Sequence, residues 1–161
     1  MIAPTPQQKA FLDTIAFSEI GAALLAKSDN GYNVIVGSTP TKPILFSSYA
    51  DHPRKLMELI IKNKPVISTA AGRYQLLQRY FDFYRKQLGL RDFSPASQDA
   101  IALQQIKERR ALADIEVGNF AAAVDKCRNI WASLPGAGYG QHEQKLVDLQ
   151  TAFIQAGGRL A

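Results

Sequence analysis

From Arg73 onward, apolar residues recur at helical spacing between glycine and proline breaks, and this alternation of stripe and breaker most constrains the fold. Leu76, Leu77, Tyr80, Phe81, Tyr84 and Leu88 trace one stripe, and Gly89 closes it as the residue just past a helix end. Ser94 and Pro95 form an N-cap and first-turn pair, opening a helix expected to run to about Arg110. A shorter helix to Val117 breaks at Gly118, and Asn119 is expected to cap another from Phe120 to Ala132. The last helix spans about Glu143–Ala156 and stops at Gly157-Gly158. Between these two, SLPGAGYG over 133–140 reads as a shaped loop.

The first half has a different texture. Phe11, Leu12, Ile15 and Ala16 place an amphipathic helix over Gln8–Glu19. Asp29-Asn30-Gly31 is a turn signal, and short strands are expected at about 32–36, 44–49 and 65–69, with Thr39–Pro43 as a loop tip. Leu56, Met57, Leu59, Ile60 and Ile61 read as one or two buried helical turns ending before Lys62. The fold class is therefore α+β: a helical body with a small antiparallel sheet after the first helix, in a single domain over residues 1–161.

The formal charge of +5 and pI near 9.4 favour an anionic partner: nucleic acid, an acidic membrane surface or bacterial wall polymer. The basic residues are dispersed, which disfavours a dedicated nucleic-acid arm. Cys127, the one cysteine, excludes an internal disulfide and reads as a small buried side chain. The longest apolar runs, such as Ile20–Ala26, are far too short to span a bilayer, and MIAPTPQQK shows no classical secretion signal. His52 and His142 stand alone, without ligand spacing, so no metal site is expected.

Glu19 is the residue with the most pointed chemistry. Phe11, Ile15 and Glu19 are four apart, so the carboxylate extends an apolar stripe at a helix C-terminus. Apolar packing and the negative end of the helix dipole both disfavour its charged form. A carboxylic acid that stays protonated near neutral pH is what general-acid chemistry requires. The plainer reading is a frayed helix end with Glu19 in water, and this segment alone favours it. An acid closing the first helix, followed at once by a small sheet, is nevertheless a lysozyme-like arrangement.

Several stretches resemble the endolysins of lambda-type phages, which are lytic transglycosylases. They are Lys9–Glu19, NGYNVIVG over Asn30–Gly37, Tyr49–Leu56 with its DHPRKL, and STAAGRYQLL over Ser68–Leu77. YRKQLGLRDFSP over Tyr84–Pro95, Ser97–Arg109 and CRNIWASLPGAGYGQ over Cys127–Gln141 continue the likeness in order. The resemblance implies cleavage of the β-1,4 bond between N-acetylmuramic acid and N-acetylglucosamine in peptidoglycan. It maps the catalytic acid onto Glu19, gives a 1,6-anhydromuramic product and involves no metal or cofactor. Tyr49, Arg73, Tyr74, Gln75, Gly138 and Tyr139 are then the candidate substrate-binding residues, with Arg73 aimed at the lactyl carboxylate. Packing within a helix, or a structural ion pair for Arg73, is an equally good reading of the 73–75 segment.

The resemblance further implies a monomer that accumulates in the host cytoplasm. It reaches the wall only after a separate pore-forming protein opens the membrane, with no stable membrane insertion of its own and no nucleic-acid partner. Two departures stand out: Ile20 lies where the family has glycine after the glutamate, and Ala70 replaces a glycine. The segments Ser38–Phe46 and Leu59–Val66 are also longer than the family pattern. Two alternatives remain. One is a hydrolytic muramidase using water and a second carboxylate such as Asp29, Asp51 or Glu58. The other is a non-catalytic glycan- or nucleic-acid-binding module.

Overall fold

The computed structural model describes residues 2–161; of the N-terminal segment read for a secretion signal, Met1 lies outside the described residues. Its elements are α1 (Pro6–Glu19), α2 (Ala22–Ala26), β1 (Met57–Ile61), β2 (Lys64–Ser68), α3 (Gln78–Leu88), α4 (Pro95–Glu108), α5 (Leu112–Val117), α6 (Phe120–Cys127) and α7 (Leu146–Gln155). The α+β class holds. Two compact units divide the chain, one formed by the residues up to Glu19 with Ala102–Ala161, the other by Ile20–Ile101.

The first unit is helical, with α1 packed on α5 and α7. Ala10, Phe11, Leu12, Ile15 and Ala16 of α1 are buried, as are Ile115, Phe120, Val124, Leu149 and Phe153. The Phe120 ring sits edge-on to Phe11 at 6.0 Å and tilted against Phe153 at 4.8 Å. At the start of α1 the buried Gln7 amide ties two chain segments: its Nε2 donates to the carbonyls of Ile115 (2.8 Å) and Arg159 (3.0 Å), and its Oε1 accepts from the Arg159 amide (2.7 Å). Cys127 is buried as expected, and burial pushes its thiol up to about 12, so it is not a nucleophile.

The second unit carries the sheet. β1 and β2 pair antiparallel with Met57 opposite Ser68 and Ile61 opposite Lys64. This corrects two expectations. Met57–Ile61 is a strand rather than helical turns, and the segment is not core, since Leu56 is 71% and Ile60 68% exposed. The expected strands at 32–36 and 44–49 reduce to isolated bridges, Val34 to Leu45 and Ile35 to Ala71. Lys62 and Asn63 form the connecting turn with φ of 52° and 61°, the geometry that two-residue hairpins require.

The unit's apolar centre holds Ala71, Leu76, Phe81, Tyr84, Leu90, Phe93 and Ile101. His52 is buried against the rings of Phe81 and Phe93. Its Nδ1 accepts from the Arg54 amide, which leaves Nε2 to donate to the Leu76 carbonyl at 2.9 Å. Burial lowers its pKa, and the imidazole is neutral and structural.

Helix boundaries follow local chemistry. α4 starts at Pro95, and the Ser97 amide donates to Ser94 Oγ at 3.3 Å, the capping bond the sequence promised. α3 closes at left-handed Gly89 but begins at Gln78, not at Arg73, because Gln75 takes φ of 52° and Ala71 bridges to Leu76. α6 ends at Cys127 rather than Ala132, and Asn119 makes no side-chain cap.

Candidate active site

Glu19 is the last residue of α1, and the chain crosses from the first unit to the second immediately after it. The next residues cannot prolong the helix, because Gly21 has φ of 86° and ψ of 152°. Glu19 is therefore held by the helix body, not by a frayed end. Its side chain keeps partial access to solvent yet is closely surrounded by protein, and this desolvation raises its pKa to about 7. A hydrogen bond from Ser133 is the opposing influence. No charged group contributes to the shift among the described residues. The acid is thus poised near neutrality by burial, and half the population carries a transferable proton there.

Ser133 opens the loop that ends before α7. Trp131 and Leu134, both buried, fix it on either side. The Ser133 carbonyl accepts from the Gln144 amide at 2.7 Å, and its Oγ lies 2.7 Å from Ser18 Oγ. Further along the loop, the amides of Gly136 and Gly138 donate to the Glu143 carboxylate at 2.9 and 3.0 Å. Tyr139 is exposed over its ring, and its hydroxyl donates to the Asn129 carbonyl at 2.9 Å. Gly138 and Tyr139 are therefore presented outward on a loop whose first residue touches Glu19.

The other predicted site residues lie in the second unit and divide into two kinds. Arg73 and Tyr74 are buried. Arg73 donates through Nε to the Asn30 carbonyl (3.0 Å) and through Nη1 to the Tyr74 hydroxyl (3.1 Å), with its guanidinium 5.2 Å from the Tyr32 ring. The hydroxyls of Tyr32 and Tyr74 both donate to Asp99. Burial pushes the Tyr32 hydroxyl up to about 12 and moves Tyr74 the same way. This cluster braces the 71–77 segment, and the Arg73 and Tyr74 side chains do not reach outward. Gln75 is half-buried, its Nε2 donating to the Gly72 carbonyl at 2.9 Å. Tyr49 is half-buried, and its hydroxyl donates to Asp29.

Gln98 completes the brace. Its Oε1 accepts from the Arg73 amide (2.9 Å), and its Nε2 donates to the carbonyls of Tyr32 (3.0 Å) and Phe93 (2.9 Å). It can do so only because residue 72 is glycine: φ there is +84°, and a Cβ would sit 2.4 Å from Gln98 Oε1. Gly72→Ala is expected to cost more than about 1 kcal/mol, read as a lowered urea midpoint at unchanged slope. Ala70, by contrast, is not among the residues with positive φ, so it needs no glycine. Asp99, Gln98, Ser18 and Ser133 were not singled out in the sequence, because each acts through partners remote in the chain.

Of the three candidate second acids, Asp51 and Asp29 are engaged by neighbours and Glu58 is exposed. Asp51 is paired with Arg54 (2.8 Å), and the guanidinium bonds hold its carboxyl below the usual range. Asp29 accepts from Tyr49, and Glu58 is exposed on β1. Among the described residues no cluster of three or more His, Cys, Asp or Glu side chains could hold a metal ion.

A desolvated acid at the end of the first helix of an α+β chain defines a lysozyme-like enzyme. More narrowly, the chain belongs to the endolysin family, whose model matches residues 9–160. It is 57% identical to the endolysin of Escherichia phage lambda over 159 residues, covering 98% of this chain and 96% of that protein. The endolysin of Escherichia phage P2 is 49% identical over 151 residues, 92% of each. Among solved structures, bacteriophage lambda lysozyme complexed with a chitohexasaccharide superposes with a TM-score of 0.89 at 53% identity over the whole of both chains. A second structure of lambda lysozyme gives 0.85 at 54% identity, again over both full chains.

Proposed function

We propose that this endolysin cleaves the β-1,4 bond between N-acetylmuramic acid and N-acetylglucosamine in peptidoglycan as a lytic transglycosylase. The observation that carries the reading is Glu19: an acid raised to about 7 by burial, with no carboxylate of the described residues among the causes of that shift. Two carboxyl groups within the few ångströms that a retaining hydrolase uses would perturb each other. The chitohexasaccharide on lambda lysozyme supports a β-1,4-linked hexosamine strand as the substrate class.

In this mechanism Glu19 gives its proton to the glycosidic oxygen as the C1–O bond breaks through an oxocarbenium-like transition state. The muramic C6 hydroxyl of the same sugar attacks C1, and its proton returns to the Glu19 carboxylate. The acid is regenerated, no water enters the product, and no cofactor is consumed. An internal nucleophile has a high effective concentration, which removes the need for a base that activates water. Tyr139 and Gly138 on the loop that begins at Ser133, with Tyr49 and Gln75, serve as the substrate contacts, while Arg73 and Tyr74 act by bracing their segment. The chain works as one catalytic domain and as a monomer. It waits in the host cytoplasm until a separate pore-forming protein releases it, and its positive charge then aids capture by the anionic wall.

A hydrolytic reading is favoured by one observation, the name lysozyme carried by the solved relatives. Mass spectrometry of digested sacculi separates the two. Anhydro ends, one water lighter than reducing ends, are expected throughout; reducing ends as the main product would overturn the transglycosylase reading. The rate should also fall as pH rises through about 7, where Glu19 loses its proton.

A further inference from the structure

We propose that the outward face of the β1–β2 hairpin docks this chain, peripherally and reversibly, on an anionic phospholipid surface. The ribbon is two-sided: Met57, Leu59 and Ile61 are half-buried and alternate with exposed Glu58 and Ile60. A Cβ on Gly37 would lie 3.3 Å from Leu59 Cδ2 and 4.0 Å from Met57 Cε, so that side of β1 rests on the chain at Gly37. The register puts Ile67 opposite Glu58 and Pro65 opposite Ile60, which places all four on the other side. Ile60 and Ile67 are exposed there, as is Leu56 just before β1. Aliphatic side chains gathered on one open face, rather than scattered singly, mark a contact surface.

The charges around the face select the occupant. Exposed Lys55 before β1, with exposed Lys62 and Lys64 at the turn, set three positive charges against the one carboxylate of Glu58. Aliphatic side chains fringed by lysines, whose long stems let the ammonium groups reach outward, suit the headgroup region of an anionic bilayer. A glycan strand calls for aromatic platforms and fixed polar groups, and no residue from Lys55 to Ser68 is aromatic. Five-residue strands reach about 17 Å, and an open ribbon leaves backbone groups unpaired, so the hairpin lies among headgroups and does not cross the bilayer. The formal charge of +5 draws the chain toward any anionic surface, and the hairpin is the point of contact.

The test is co-sedimentation of the full chain with vesicles of phosphatidylcholine containing about one-third phosphatidylglycerol, against vesicles of phosphatidylcholine alone. The parent should partition at least about tenfold more strongly onto the anionic vesicles, and less so as salt is raised. Ile60→Ser should weaken that partitioning about tenfold, and the double variant Lys62→Gln, Lys64→Gln by about as much. Glu58→Gln should strengthen it about fivefold, because it removes the one acid from the docking face. The control is Lys9→Gln, Lys107→Gln, which removes the same charge from exposed lysines of the other unit and should cost no more than about twofold. Equal losses in the two lysine pairs would assign the attraction to diffuse charge and overturn the proposal. Unchanged binding by Ile60→Ser would overturn it too, since the face would not touch lipid. Slower cleavage of soluble glycan strands by Ile60→Ser would make the face a sugar contact instead. A dimer in sedimentation equilibrium that Ile60→Ser dissolves would give it to a second copy, and either result overturns lipid docking. Should Ile60→Ser fail to fold, the opposite shifts expected of Glu58→Gln and the Lys62, Lys64 pair decide alone.

Discussion

Glu19→Gln is expected to lower the rate of wall cleavage by about a hundredfold to ten-thousandfold, the range a positioned general acid supplies. Glutamine has the shape of the protonated acid and keeps an oxygen that accepts from Ser133, so the burial around α1 is undisturbed. It lacks the transferable proton. Release of soluble muropeptides from purified sacculi measures the loss, and far-ultraviolet circular dichroism checks that the helices remain. Activity within about tenfold of the parent would remove Glu19 from the chemistry, since a loss that small is what a structural acid gives and a positioned general acid contributes more.

The same substitution is expected to remove the pH dependence that Glu19 imposes on stability. In the folded chain this acid titrates near 7, against about 4.5 when unfolded. Between those values the folded state binds the extra proton, so Glu19 favours folding at low pH and progressively opposes it as pH rises through 7. A displacement of that size corresponds to about 3 kcal/mol as an order of magnitude. Glu19→Gln should therefore be more stable than the parent at pH 8.5 by up to about 3 kcal/mol relative to the difference at pH 4.5. Urea unfolding of both proteins at the two pH values isolates Glu19, because every other titrating group is shared. Parallel pH dependences would show that the side chain is solvated like any surface acid.

Glu19 was legible because a helix repeats every three to four residues, so a carboxylate four places after Ile15 must share the apolar face. Helix starts and stops carried by local chemistry were legible for the same reason: Ser94 and Pro95 opening α4, Gly89 closing α3. Where an outcome depended on a distant partner, the local pattern misled. Leu56–Ile61 contains good helix formers, and six residues cannot distinguish a helix turn from a strand. Pairing with Lys64–Ser68 across the Lys62-Asn63 turn decided it.

The start of α3 was misplaced because Arg73–Leu77 has a helical stripe but is claimed by the bridge from Ala71 to Leu76 and by Gln98. Arg73 and Tyr74 looked like substrate ligands because arginine and tyrosine are the usual ones. Their burial depends on Asn30, Tyr32 and Asp99, residues scattered over the unit. Ser133 was the most consequential omission. It lies 115 positions from Ser18, and nothing in a loop of small residues marks one hydroxyl as the neighbour of an acid.

The β1–β2 hairpin has a consequence for handling the protein. A ribbon of only two strands leaves the outer backbone groups of both without a ladder partner, and here those margins run beside exposed Leu56, Ile60 and Ile67. Such a ribbon is a template on which another chain can add itself strand by strand. Three residues stand against this: Pro65, which removes a donor from β2, and Lys62 and Lys64, whose charges repel an identical tip. The colloidal behaviour of a concentrated preparation therefore rests on residues that have no part in cleaving sugar.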